Sequence, residues 1–138
     1  MQIQETSYKV SHLYKLFLAD YAKLTKKINI NVADYNIFLT LEENPGCTQL
    51  FLAQKRHVER SLLTRIIKKY LELDLIERRQ SSTNKSAYAL YLTPKGKQAT
   101  KSIRKMINSL NEKIAKLCSS EEYKALNDIL DLLIKRWS

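Results

Sequence analysis

The sequence predicts a mainly α-helical fold that contains one small β-hairpin. Apolar residues recur at helical spacing through most of the chain, and an alternating pattern between residues 75 and 92 indicates two short strands. Only two Gly and two Pro interrupt these patterns, and 44% of the residues are apolar, which is typical of a globular chain. We expect the 138 residues to form a single domain whose modest core gains stability from a partner surface.

Two helices are predicted in the first third of the chain. Residues 6–27 carry a wide, partly aromatic stripe of apolar side chains at helical spacing. Asn31, with Asp34 three residues later, has the position of an N-cap for a second helix that ends at residues 44–46. The side chains expected to face inward from this second helix are Tyr35, Ile37, Phe38 and Leu41.

Residues 48–74 show the pattern of two short helices joined by a tight turn. Thr48 is expected to cap a helix over residues 49–55, and a break at residues 56–58 precedes a helix over residues 59–73. Asp74 stands where a Gly commonly ends such a helix, and Asp tolerates the left-handed conformation needed there. One face of the second helix is apolar, and the opposite face carries Arg60, Ser61, Thr64, Arg65, Lys68 and Lys69.

A hairpin and two further helices complete the expected fold. Residues 75–80 and 86–92 are predicted to pair as antiparallel strands across a polar loop, with Tyr88, Leu90 and Leu92 pointing toward the core. A helix begins at Thr93 and Pro94 and runs to about residue 118. The last helix opens at residues 120–122, with Ser119 or Ser120 as its cap. These elements predict a winged helix-turn-helix fold.

The positive charge is concentrated in the middle of the chain. Of the net charge of +10, residues 55–85 contribute nine Lys/Arg against four Asp/Glu, and residues 95–116 contribute seven against one. Clustered cations favour a polyanion partner, because neutralising phosphates releases condensed counterions. Lys-rich helix faces that are simply solvated are the plain alternative. The coincidence with a helix-turn-helix pattern favours double-stranded DNA.

Several classes of protein are disfavoured. The sequence has no apolar run near the ~18–20 residues of a membrane span, and residues 1–5 do not resemble a signal peptide, so we expect a cytoplasmic protein without a membrane partner. Cys47 and Cys118 do not make a disulfide framework. We interpret His57 as a turn residue, since His12 is the only other histidine. Without a nucleophile–base constellation, a phosphate loop or clustered ligands, we expect no catalytic residues, metal, cofactor or enzyme activity.

The order of elements resembles the MarR family of bacterial winged-helix transcription regulators, with Sar-type regulators as near relatives. The resemblance covers nearly the whole chain and is carried by Leu52-Ala53, Leu63-Thr64-Arg65 with Ile66-Ile67, Leu75-Ile76-Glu77-Arg78, and Leu92-Thr93 with Gly96. It implies a DNA-binding lobe over residues 30–96, with dimerisation helices over residues 1–28 and 97–138. Apolar surface on the first and last two helices independently predicts a two-fold homodimer.

The sequence departs from the family pattern in the hairpin and the turn. The hairpin usually carries an Asp-x-Arg motif nine residues before the Thr of the Leu-Thr pair, where this sequence has Asn84, Lys85 and Ser86. Lys85 lacks the planar guanidinium that such hairpins insert into the minor groove. His57 replaces the usual Gly of the turn, and Arg56 occupies a commonly apolar position. These departures bear on hairpin contacts and turn geometry rather than on the fold.

Paired chains would set two helices of the motif about one DNA turn apart, ~34 Å, so we expect a pseudo-palindromic operator. Contacts to base edges are expected from Arg60, Ser61, Thr64 and Arg65, and contacts to the DNA backbone and minor groove from Lys68, Arg78, Arg79, Asn84 and Lys85. Repression is the commoner outcome of such binding, but the residues do not separate a repressor from an activator.

Some alternatives stay open at this level. The resemblance implies a small phenolic or lipophilic effector, for which Tyr14, Phe17, Tyr21 and Phe38 are candidate ligands, although the aromatic stripe also fits a dimer core. Cys47, in a loop, is a candidate oxidation sensor. A winged helix that contacts protein or RNA without sequence-specific DNA recognition is the alternative function.

Overall fold

The computed structural model describes residues 3–80 and 87–138. Its helices are α1 (Ile3–Ile28), α2 (Tyr35–Glu43), α3 (Gln49–Arg56), α4 (Arg60–Glu72), α5 (Pro94–Leu117) and α6 (Ser120–Trp137), and its strands are β1 (Ile76–Gln80) and β2 (Tyr88–Leu92). This order confirms the mainly α-helical class with one small hairpin. The chain divides into two compact units, Met1–Arg104 and Lys105–Ser138.

The entry into α2 differs from the expected capping pattern. The backbone of Asn31 is extended, but its side chain makes no capping hydrogen bond, and a 3-10 turn over Val32–Asp34 precedes α2. Asp34 is buried, and its Oδ2 accepts a hydrogen bond of 2.6 Å from the Tyr70 hydroxyl. The prediction that Asn31 caps α2 is therefore wrong, because Asp34 serves a tertiary contact with a residue 36 positions away.

The core of the first unit lies between α2, α3, α4 and the hairpin. Phe38 meets the ring of Tyr70 edge to face at 4.9 Å between centroids, a favoured aromatic geometry. Three of the four inward positions expected on α2 are buried, and Tyr35 is half-buried against Phe17 and Tyr21 of α1. The side chains that fill the core are Ile37, Phe38, Leu41, Leu52, Leu63, Ile67, Tyr70, Leu75, Ile76, Leu90, Leu92 and Ile103.

The hairpin is antiparallel, with Ile76 opposite Leu92 and Gln80 opposite Tyr88. Leu90 also pairs with the loop before α3, since its amide donates to the Cys47 carbonyl at 2.9 Å. The inward orientation predicted for Tyr88 is wrong, because its side chain is 52% exposed. Tyr88 shares a face with Leu90, but it lies farther along the strand and meets the guanidinium of Arg78 instead.

The ends of α4 and α5 meet at a tightly packed corner. Asp74 has a φ of 58°, which confirms the predicted left-handed conformation. The Thr93 hydroxyl donates to the Asp74 carbonyl at 2.6 Å and accepts from the Gly96 amide at 2.9 Å, so Thr93 caps α5 as expected. A Cβ atom at Gly96 would lie only 2.0 Å from the carbonyl oxygen of Leu75. Only Gly therefore permits this approach of α5 to the chain that enters the hairpin.

The second unit consists of the end of α5 and all of α6. Ser119 and Glu122 form a reciprocal capping box, which confirms Ser119 as the cap of α6. None of the side chains of α6 is buried. Its exposed apolar residues are Ile129, Leu130, Leu132, Leu133, Ile134 and Trp137. In the part of the chain that the structure describes, no helix is long and apolar enough to span a membrane.

Candidate nucleic-acid interface

The turn between α3 and α4 is short and is closed by a left-handed residue. His57 has a φ of 54°, and its amide donates to the Gln54 carbonyl at 3.4 Å. The Val58 amide donates to the Ala53 carbonyl at 3.0 Å, which completes the usual double hydrogen bond of a helix end. His57 is thus a turn residue, as expected, and it adopts the conformation that Gly would adopt more readily.

Helix α4 is anchored on one side and exposed on the other. Leu63, Ile67 and Tyr70 are between 0 and 2% exposed, so the helix is held firmly against the core. The five residues that the sequence predicts to contact DNA from this helix all lie exposed along it. We call these residues the basic face of α4: Arg60, Ser61, Thr64, Arg65 and Lys68.

Both hydroxyl groups of the basic face are already engaged within the protein. Ser61 Oγ donates to Glu59 Oε1 at 2.6 Å, and this bond, together with the Ser61 amide and then Arg65, holds the pKa of Glu59 below its ordinary value. Thr64 Oγ1 donates to the Arg60 carbonyl at 2.9 Å. A carboxylate therefore accompanies the cations at the beginning of α4, where the helix dipole favours negative charge.

Gln49, the first residue of α3, is a member of this surface that the sequence analysis missed. Its Nε2 donates to Thr64 Oγ1 at 2.7 Å, across 15 residues of sequence. The only local signal is its place directly after the Thr48 cap, whose side chain accepts from the Phe51 amide. That position puts Gln49 at the start of the first motif helix, the helix that crosses the DNA backbone in helix-turn-helix complexes.

The two arginines of the hairpin that are predicted to contact DNA lie on opposite faces of it. Arg79 pairs with Glu77, and its guanidinium lies 4.3 Å from the centroid of the Tyr91 ring. Arg78 is on the other face, 4.9 Å from the centroid of Tyr88. Successive side chains of a strand alternate between faces, so the two cations do not form one patch. Asn84 and Lys85, the other predicted hairpin contacts, lie outside the described residues.

The four side chains predicted to bind an effector have different environments. Tyr14 stacks on Phe17 at 6.2 Å, and Phe17 stacks on Tyr21 at 6.4 Å, so the stripe on α1 is continuous. Tyr14 is exposed, whereas Tyr21 is buried and donates to the Ile30 carbonyl at 3.0 Å. Burial raises the pKa of Tyr21 above its ordinary value. Phe38 is not part of the stripe, because it lies in the core against Tyr70. The effector site stays a prediction.

A cavity of about 490 Å³ lies beside α4, and none of those four aromatic residues lines it. Its walls include three cations, Arg56, Arg65 and Lys69, together with the Asp34 carboxylate. The Nε atom of Arg56 is enclosed without a hydrogen-bond partner among the described residues. Arg65 therefore belongs both to the lining of this cavity and to the basic face of α4.

The Cys47 thiol and the possible metal ligands bear on the candidate chemistry of the chain. Burial raises the pKa of the Cys47 thiol, so less of it is present as the reactive thiolate. The described residues contain no group of three or more His, Cys, Asp or Glu side chains placed to hold a metal ion.

The fold and the basic face of α4 define the class of the protein, a winged helix-turn-helix protein. Comparison with known proteins agrees: residues 22–86 match the MarR family. The crystal structure of Streptococcus pneumoniae FabT in complex with DNA has a TM-score of 0.85 and 18% sequence identity, and the alignment covers 97% of this chain and 95% of that one. Over residues 22–86 the chain is therefore similar to the MarR family, and it shares the winged-helix fold of FabT.

Two sequence relatives are also regulators by name. The putative transcriptional regulatory protein for the hcr operon of Thauera aromatica is 28% identical over 102 residues, which are 74% of this chain. The aligned stretch spans only 61% of the length of that relative. The HTH-type transcriptional regulator BilQ of Clostridioides difficile (strain CD3) is 25% identical over 126 residues, covering 91% of this chain and 85% of the relative.

Proposed function

We propose that this chain is a transcriptional regulator that binds double-stranded DNA sequence-specifically as a homodimer, on a pseudo-palindromic operator. The observation that carries the proposal is the basic face of α4, which is exposed on a helix that is anchored in the core by Leu63, Ile67 and Tyr70. A rigid helix with exposed cations and amphiphilic side chains can enter the major groove without refolding. Arg65 is the residue best suited to a bidentate contact with guanine.

Charge supports the same partner. Arg60, Arg65 and Lys68 follow one another along the exposed side of α4, and the described structure gives none of them an ion pair. Unpaired surface cations are free to neutralise phosphates, and counterion release then makes the affinity fall with salt. Glu59, hydrogen-bonded to Ser61, and Glu77, paired with Arg79, oppose this attraction locally.

Dimerisation is supported by apolar surface in both units. In the first unit, α1 exposes Tyr8, Val10, Leu13, Tyr14 and Leu16. In the second unit, α6 exposes apolar side chains along its length, including Trp137, which is 88% exposed. Such continuous apolar helix faces are uncommon on monomeric proteins and are typical of partner surfaces. We propose that the helices of residues 1–28 and 97–138 supply the dimer interface and that residues 30–96 contact DNA.

Regulation follows the same logic. A small phenolic or lipophilic effector that prefers a dimer with misplaced α4 helices lowers operator affinity by its differential affinity for that shape. Repression by blocking polymerase is the proposed outcome of operator binding. We also propose that the protein acts in the cytoplasm, that it has no enzyme activity and that it responds to such an effector.

The test is selection of bound duplexes from random DNA, followed by anisotropy titrations of the selected site at several salt concentrations. We expect a site with two inverted half-sites. Arg65→Ala should weaken binding by ~1–3 kcal/mol and relax one base preference, whereas Lys85→Ala should weaken all sequences alike and reduce the salt slope by roughly one. Lys23→Ala is the matched control, because the Lys23 side chain is 82% exposed, is not one of the apolar side chains that α1 exposes, and carries the same charge away from α4.

Other outcomes point to the alternative function. If short duplexes bind no better than tRNA or polyphosphate, and selection yields no preferred sequence, the chain is a winged helix for RNA or protein contacts. If neither Arg65→Ala nor Lys85→Ala changes binding, the docking of α4 in the major groove is wrong.

A further inference from the structure

The hydrogen bond between α3 and α4 has a defined direction. Thr64 has one hydroxyl proton, which it donates to the Arg60 carbonyl at 2.9 Å. Its oxygen can therefore only accept from Gln49, at 2.7 Å, so the amide nitrogen of Gln49 faces Thr64. The carbonyl oxygen Oε1 and the second amide hydrogen of Gln49 have no partner among the described residues.

This arrangement changes which atoms of the basic face are free to contact a base. The Thr64 hydroxyl has used its one proton and one of its two acceptor lone pairs, so it has no donor left for a base, and its methyl is its apolar contact group. The groups left to form hydrogen bonds with a base at this point are those of the Gln49 amide, which has one acceptor and one donor side by side. Because Thr64 holds the nitrogen, the amide cannot flip without losing a bond.

We propose that Gln49 is a specificity-determining residue that recognises an adenine in each half-site, and that the Thr64 methyl packs against a neighbouring thymine methyl. This inference rests on the proposed DNA-binding function and deepens it. Adenine presents the N6 amino group as a donor and N7 as an acceptor in the major groove, which complements a glutamine amide. Thymine presents its C5 methyl in the same groove, where Thr methyl groups are common partners.

A phosphate is the competing target for the Gln49 amide. It would use only the N–H group and would leave Oε1 facing a negative charge, which is unfavourable for a carbonyl oxygen. The Gln49 carbonyl oxygen is therefore better matched by the N6 amino group of adenine. Contact with phosphate predicts sequence-independent binding, so the two targets give different results.

The experiment uses the full chain and the best duplex from the selection described above. Gln49→Met keeps the length of the side chain but removes both polar groups, and we expect it to lose about tenfold of the preference for adenine at one symmetric position of each half-site. Gln49→Glu should shift the preferred base at that position from adenine to cytosine, because a carboxylate accepts from the cytosine N4 amino group. The base profile elsewhere should not change.

Substitutions in the DNA test the same contacts with an unchanged protein. Replacing the adenine by 7-deazaadenine removes the N7 acceptor, which should weaken the wild-type chain several-fold and leave Gln49→Met unaffected. Deoxyuridine in place of the neighbouring thymidine should weaken the wild type and Thr64→Val, which both keep the methyl, but not Thr64→Ser. Unfolding midpoints of all variants check that their folds are intact.

Two results would overturn the inference. In the first, Gln49→Met weakens every sequence alike and lowers the salt slope by about one, so that Gln49 contacts a phosphate. In the second, Gln49→Met and 7-deazaadenine leave the base profile unchanged. A wild-type chain that selects no sequence at all contradicts the proposed function instead, so the two failures are distinguishable.

Discussion

Replacement of Tyr70 by Phe tests the polar contact that ties α4 to the segment before α2. The Tyr70 hydroxyl donates to Asp34 Oδ2 at 2.6 Å and accepts from the Asn31 amide at 3.1 Å. Its ring is fully buried and stays in place in the variant, so the substitution removes little apolar packing. What it removes is the only side-chain hydrogen bond that the described residues give to the Asp34 carboxylate, in a residue that is 7% exposed.

The loss of stability depends on the two groups that lose their hydrogen bond to the Tyr70 hydroxyl, the Asp34 carboxylate and the Asn31 amide. A buried group without its hydrogen bond costs about 1–3 kcal/mol, and a charged group costs more. The hydrogen bond from the Asn31 amide is only part-buried and involves no charged group, so its share is smaller. We therefore expect Tyr70→Phe to lower the free energy of unfolding by about 2–4 kcal/mol, mainly through Asp34. In a chain of this size, each kcal/mol corresponds to roughly 3–5 °C in Tm.

Chemical denaturation at fixed protein concentration measures this change, since dimerisation makes the stability concentration-dependent. Tyr88→Phe is the matched control, because Tyr88 is 52% exposed, lies outside the proposed dimer helices and should change stability by less than about 0.5 kcal/mol. Asp34→Asn keeps an acceptor for Tyr70 and should cost less than Tyr70→Phe, and the double variant should be non-additive. A change below about 0.5 kcal/mol for Tyr70→Phe would refute the reasoning.

The remaining predictions concern pH, the turn and the apolar faces. Burial is the largest cause that raises the pKa of both Tyr21 and Tyr70, and Asp34 contributes to each. The stability from these neutral phenols is present below the unfolded pKa of about 10 and is lost as pH rises above it. Denaturation midpoints should therefore fall at alkaline pH, less steeply in Tyr70→Phe, and parallel curves would contradict this. His57→Gly should raise the unfolding free energy by about 0.5–1 kcal/mol, because a left-handed residue with a Cβ is strained, and calorimetry at one concentration measures it. An unchanged Tm would mean that the turn is unstrained. Leu133→Glu, at a position of α6 that is 47% exposed, should leave helicity intact but shift light scattering from dimer to monomer and weaken operator binding at least tenfold. An unchanged dimer would exclude this part of α6 from the interface.

Local patterns predicted the elements whose causes are local. Thr48, Thr93 and Ser119 were expected as helix caps, and each makes its capping hydrogen bond, because a cap depends on residues within one turn of the helix. The left-handed Asp74 was expected for the same kind of reason. Amphipathic spacing likewise predicted which side of α4 is buried, since the period of a helix decides which residues share a face.

The errors occurred where a partner lies far away in sequence. Asn31 was taken for the cap of α2, with Asp34 three residues later, but Asn31 makes no capping bond and the partner of Asp34 is Tyr70. Tyr88 was expected in the core by strand alternation, yet alternation reports the face of a strand and not where the core ends. Gln49 was missed altogether, because only the packing of α3 on α4 brings it to Thr64.

The order of amino acids by itself therefore determined the helices, the hairpin, their caps and the basic side of α4, because each depends on neighbours within a few residues. The tertiary structure alone decided which polar groups of that side are free to contact DNA. Hydrogen bonds saturate, and whether Thr64 or Gln49 keeps an unused donor depends on a contact that no local pattern encodes.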